Sequence, residues 1–268
     1  LIESPQDRQT MGWMTRLKQM LGIGRSAQPA CDQADAPSPH TMRDQIAPSM
    51  IPGYIEYIIE DVATAESQYP TLTHPFGRSM AALDIYTGWI KRFIAQYSRG
   101  DDRDTLRGLL PQLTEAFETH FDMEVQAEYE YALWALSICV VCDAEPAEYE
   151  RIASTLDRFE MDDPLLGRLR QHFEPGRYVA DNPVPFGRPY SRVPALETTD
   201  DVRTYLRRHW YNENRGMIWH GSHKGNRFGT ERYFGYWSWE AAAWVKVNGI
   251  DDEELKDQKY YPYDAVHW

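Results

Sequence analysis

The chain is poor in cysteine. It has three in 268 residues, Cys31, Cys139 and Cys142, too few and too badly spaced for a disulfide framework. A reducing compartment suits such a chain. No apolar run approaches the ~20 residues of a membrane span. No charged-then-apolar start with a small-residue cleavage site is visible either. The expectation is a soluble cytoplasmic protein without a membrane partner. Alternating runs of β-branched residues are missing, which argues against a sheet. A Gly-rich phosphate loop, a GxSxG elbow, a Rossmann fingerprint and an HExxH pair are missing too, so no cofactor is implied.

Basic residues are scarce in one place above all. Between Arg107 and Arg151 there is neither Lys nor Arg, and the window Leu113–Leu165 holds 14 acids against two bases, a net −12 in a chain whose total is −13. A surplus of this sign repels nucleic-acid phosphates and excludes binding by a general electrostatic attraction. It suits a basic partner. Glu115, Glu118 and Asp122 share one helix face by spacing, and Glu124 and Glu128 are four apart. Like charges at that spacing cost about 0.2–0.5 kcal/mol per pair. A solvated helix face ordinarily interleaves both signs, so this one-signed run points to a docking surface. Its candidate contact residues are Glu115, Glu118, Asp122, Glu124, Glu128, Glu130, Asp143, Glu145 and Glu148. Tyr129, Tyr131 and Tyr149, interleaved with them, are candidate aromatic anchors.

What is present is mostly helical. Residues 10–23 read as a short amphipathic helix, and 24–40, rich in Pro, Ala, Ser and Gly, as a linker, so 1–42 form an arm. Pro52 suits a helix start, followed by Ile55, Ile58, Ile59 and Val62 on one side. Residues 76–98 carry a strong 3.6-residue pattern that Gly100 ends. Pro111 kinks or splits the next helix. "EYALWALSICVV" is apolar nearly all round, as in a buried central helix. Five prolines and two glycines in 174–198 make a long loop. Helix resumes after the loop, with Thr199 or Asp200 as its cap. The fold expected is all-α, an irregular bundle with a Pro/Gly-rich loop between a segment at 43–165 and another at 166–268.

The last stretch, 232–268, has ten aromatic residues. Ser238 can cap a helix from about Trp239 to Asn248, with Gly249 as its left-handed stop. That helix is apolar enough to be buried, so Glu240 in its first turn needs a partner. Asp251 can cap a further short helix, and Tyr261 before Pro262 must be extended. The stretch reads as a C-terminal staple. Its "GYWSWEAAA" (Gly235, Tyr236, Trp237, Ser238, Glu240), "DD" (Asp251, Asp252) and "YYPYD" (Tyr261, Pro262, Asp264) resemble the C-terminal signature of the PoNi family. "YSRG" (97–100) resembles the end of that family's second N-terminal helix. The resemblance spans roughly 43–268. It implies an all-α immunity protein that binds a cognate nuclease toxin, often one delivered by type VI secretion, and blocks it without chemistry of its own. A homodimer is compatible with it. The arm before residue 43 and the long 174–198 loop depart from the pattern.

Two enzyme-like features compete. Cys139-Val-Val-Cys142 has C-x-x-C spacing but lies inside an apolar helix and lacks two further zinc ligands. His220 and His223, with His209 and Glu213 nearby, offer metal-ligand spacing, and a metal-dependent hydrolase is the runner-up reading. A helical adaptor that uses its arm is the third.

Overall fold

The computed structural model describes residues 41–122, 128–185, 187–224 and 233–268. The helix expected over 10–23 and the linker after it lie outside these. The described residues are all-α, with no strand among them. The chain runs through α1 (Ile51–Gln68), α2 (Pro75–Arg99), α3 (Arg103–Arg107), α4 (Leu110–His120), α5 (Glu128–Cys142), α6 (Pro146–Arg158) and α7 (Pro164–Arg170). After the loop come α8 (Thr199–Thr204), α9 (Trp239–Asn248) and α10 (Tyr263–Val266). A wide π turn at Tyr205–Trp210 and a last turn at Tyr211–Glu213 prolong α8.

Local chemistry sets most boundaries. Pro52 stands in the first turn of α1, where its missing N–H costs nothing. Ile55, Ile58 and Val62 are buried, while Ile59 is on the exposed edge. Pro111 does split its helix, because it sits in the first turn of α4 after the short α3. Asp102 caps α3 by accepting from the Thr105 N–H at 2.8 Å. Thr198, one residue earlier than expected, caps α8. It forms a capping box with Asp201, whose carboxylate accepts from the Thr198 N–H at 3.0 Å. Within the Pro-rich loop, Tyr190–Ala195 winds into 3-10 turns and buries Tyr190 and Val193.

α5 is the axis. All 15 of its residues are buried, as expected for a helix without a polar face. α2, α4, α6, α7, α9 and α10 pack around it. α9 contributes Ala241, Ala242 and Ala243, all fully buried, whose small side chains bring its backbone close to α5. One hydrophobic core therefore runs through 43–165 and 166–268 alike, and the junction between those segments falls inside α7.

α1 and α2 form the closest helix pair. A Cβ on Gly88 of α2 would stand 2.3 Å from the Val62 Cγ2 of α1. Gly88→Ala should therefore destabilise by about 1–3 kcal/mol through overpacking, although Ala is intrinsically about 1 kcal/mol the better helix former. Val62→Ala in the same chain should restore part of the loss, a non-additivity measurable by urea denaturation of the four members of the cycle.

Candidate protein-binding surface

The acids of the one-signed window divide on folding. Glu115 and Glu145 are exposed on α4 and at the start of α6, and Asp122 is exposed just after α4. Glu118 and Glu148 are half-buried. Glu148 closes the capping box of α6 by accepting from the Glu145 N–H at 2.8 Å. Glu124 lies outside the described residues.

Bases from outside the window fold onto it. Asp143 accepts from Lys246 Nζ of α9 at 2.9 Å and faces His172 Nε2 at 3.2 Å, with Arg103 at 3.9 Å. Arg107 reaches Glu145 at 3.2 Å and donates to the Asp143 carbonyl at 2.7 Å. From within the window, Arg151 stands 3.7 Å from Glu118. The run is one-signed along the chain and mixed in space. Glu115, Asp122 and Glu150 stay exposed without an ion pair among the described residues.

Five expected contact residues are not on the surface. Glu128, Glu130, Tyr129, Tyr131 and Tyr149 are all buried. For the four on α5 the physical reason is that helix itself, whose remaining residues are so apolar that every direction around it is core, whereas Tyr149 lies on the buried face of α6. The tyrosines serve that core. Tyr129 donates to Asp163 at 2.9 Å. Tyr131 packs edge-on against Trp134, with ring centroids 5.7 Å apart. Tyr149 stacks on Phe173 at 4.2 Å and donates to Glu174.

Two buried carboxylates mark the polar centre. Glu130 accepts from the Tyr190 hydroxyl and from the Trp219 indole at 3.2 Å. Glu240 accepts from Tyr205 at 2.8 Å and Ser238 at 2.7 Å. Their donors come from residues 35 to 89 positions away, Ser238 excepted. Burial pushes both carboxyls above the ordinary range, Glu130 to about 7, against the pull of its donors. Ser238 does not cap α9 with its side chain as the sequence suggested. Its hydroxyl is turned to Glu240 instead.

The C-terminal signature acts as a set of staples. Gly235 has φ of 100° beneath Ser98 of α2, where a Cβ would meet the Ser98 Oγ at 2.0 Å. That hydroxyl shares its proton between the Ile94 and Phe234 carbonyls and accepts from the Trp237 indole at 2.8 Å. The two stretches "YSRG" and "GYWS" thus meet at one hydroxyl. Tyr236 donates to the Trp219 carbonyl at 3.3 Å. Asp252 accepts from Tyr261 at 2.7 Å and faces His267 at 2.9 Å, while Pro262 is buried beside them. Asp251 accepts from the Glu253 N–H at 3.2 Å at the head of a 3-10 turn, Glu253–Leu255. Asp264 holds Arg43 at 2.6 Å and so ties the start of the described chain to its end.

The three histidines turn to separate partners. His209 faces Glu213 at 3.0 Å, His223 faces the Tyr236 hydroxyl at 2.9 Å, and His220 stacks on Tyr211 with centroids 4.1 Å apart. No group of three or more His, Cys, Asp or Glu among the described residues could hold a metal ion. Cys139 and Cys142 are fully buried, and burial raises both thiols. No helix among the described residues is long and apolar enough to cross a membrane.

These features define an all-α protein whose unusual polar residues are internal fasteners and whose exposed carboxylates lie on the outer helices. Residues 79–154 match the family model of the PoNe immunity protein (PoNi) N-terminal segment, and 187–265 match that of the C-terminal segment. Together the matches span more than half of the chain, and it belongs to the PoNi family of PoNe immunity proteins. The crystal structure of protein PA2201 from Pseudomonas aeruginosa shares the fold, with a TM-score of 0.62 at 16% identity over 86% of this chain and 91% of that one. No curated protein matches the sequence.

Glu130 makes the fold sensitive to pH. The native state keeps its proton to about pH 7, whereas an ordinary glutamic acid releases it near 4.5. Native Glu130 therefore adds stability that is complete below 4.5 and is lost as pH rises through 7. At about 1.4 kcal/mol per unit the loss is of order 3 kcal/mol. Glu130→Gln should flatten this fall, as read by urea unfolding at pH 5 and pH 8.

Proposed function

We propose that this protein binds a cognate PoNe nuclease toxin and neutralises it by occupying its surface, without turning over a substrate. The observation that carries the reading is the match to both PoNi segments, N-terminal and C-terminal, in order along one chain. Charge supports it. A nuclease must present a cationic groove to grip phosphates, and this chain carries −13, which disfavours nucleic acid as its own ligand. The proposed contact face takes its charge from Glu115, Asp122, Glu145 and Glu150 on α4 and α6, with Glu118 behind them. Such a face steers encounter, and steering raises association rates to about 10⁸–10⁹ M⁻¹s⁻¹ against a neutral 10⁵–10⁶. A fast inhibitor is what a cell needs against an enzyme that destroys its DNA. The site of action is the cytoplasm, where toxin and DNA meet.

The triple variant Glu115→Lys, Asp122→Lys, Glu150→Lys should slow association with the toxin at least tenfold and flatten its salt dependence, in stopped-flow mixing with a catalytically inactive toxin. Its thermal midpoint should hold, since all three side chains are exposed. An unchanged association rate would reject this face and leave the immunity role standing.

A further inference from the structure

Tyr129, Tyr131 and Tyr149, being in the core, cannot supply the aromatic anchors that tight binding requires. Among the described residues Phe76, 39% exposed, and Tyr178 are the exposed large aromatic side chains, and Tyr178 stands out. It is 75% exposed, more than any other large apolar side chain among the described residues. It lies in the Pro/Gly-rich loop after α7.

Its backbone is fixed on both sides. Before it, the Arg177 carbonyl accepts from the Gln171 side chain at 2.7 Å. The Arg177 guanidinium holds Glu174 at 2.8 Å and stands 3.7 Å from Asp157 and 3.8 Å from Asp162. After it, Val179 packs against Gly167 of α7, so closely that a Cβ there would meet the Val179 Cγ1 at 3.2 Å. Beyond, Asn182 donates to the Asp162 carbonyl at 3.0 Å. The loop is pinned to α6 and α7, yet the ring it presents has no aromatic partner among the described residues. Folding gains almost nothing from that ring. Binding would gain much, because a tyrosine on an ordered backbone has little entropy left to lose.

Position adds a second line. The loop falls between 79–154 and 187–265, the stretches the family models describe. It is a place where one member can differ from another, as discrimination among toxins demands.

We infer that Tyr178 is the aromatic anchor of the toxin interface and that the loop carrying it, 174–185, sets which toxin is bound. The partner is a basic protein surface with an apolar pocket for the ring, rimmed by a cation that meets Asp181, since Asp157 and Asp162 already face Arg170 and Arg177. This rests on the proposed function and places part of the contact on α6, α7 and the loop, beyond the acids of α4.

The test is calorimetry with a catalytically inactive cognate toxin. Tyr178→Ala should weaken binding at least tenfold with an unchanged thermal midpoint, and the loss should lie in the dissociation rate. Tyr178→Phe should bind within about threefold of the parent, since the ring does the anchoring. Ile218→Ala, which removes another exposed apolar side chain, should change nothing. Full affinity in Tyr178→Ala, with the parent chain binding normally, overturns the anchor and leaves the immunity function intact. Absence of binding by the parent chain overturns both.

Discussion

A helix with no exposed residue must be enclosed on every side, and α5 imposes that on the whole fold. Enclosure takes six helices, drawn from both sides of it along the chain. It also takes a solution for Glu130, which cannot reach water from its place on α5. Tyr190 supplies it from within the long loop and Trp219 from beyond it. Glu240 meets the same demand from α9 with Tyr205 and Ser238. Neither carboxylate contributes stability in the manner of a surface ion pair. Each costs desolvation that its hydrogen bonds offset in part, and each specifies which segment must lie against which. An apolar residue at either position would leave its tyrosine donor buried and unsatisfied.

The helical signal was legible because it is local. Uniform apolarity marked α5 as buried, proline and glycine marked the ends of α1, α2 and α4, and the aromatic tail reads as a staple because its rings and turn residues lie close together in sequence. What was misjudged depended on distant partners. Glu128 and Glu130 read as surface because they are charged, and nothing near them in sequence announces Tyr190 or Trp219. The acidic window read as one-signed because Lys246, Arg107 and Arg103 lie beyond its ends. Tyr178 drew no notice at all. It belongs to no periodic face, and an exposed ring in a loop has no sequence signal beyond its being aromatic among prolines and glycines.

The internal fasteners of the two family segments are therefore different in kind from the exposed charges and from the loop between the segments. Gly235, Trp237 and Ser98 meet at a single hydroxyl, and Asp252 gathers Tyr261 and His267. Residues of this sort are needed whatever is bound. The acids of α4 and α6 and the ring of Tyr178 are not needed for folding, and so are free to follow a partner.

The seam between α5 and α9 has a consequence for ancestry. Its small side chains and its two buried carboxyls come from stretches far apart in the chain, Glu128–Cys142 and Trp239–Asn248, and must fit each other. A crossover that joined the front half of one such protein to the back half of a distant cousin would bring together a groove and a ridge of different cut. Exchange of the short segment after α7 disturbs no such fit. Lineages of these proteins should diversify by trading small outer pieces and drift as wholes elsewhere, so the histories told by their two halves should agree.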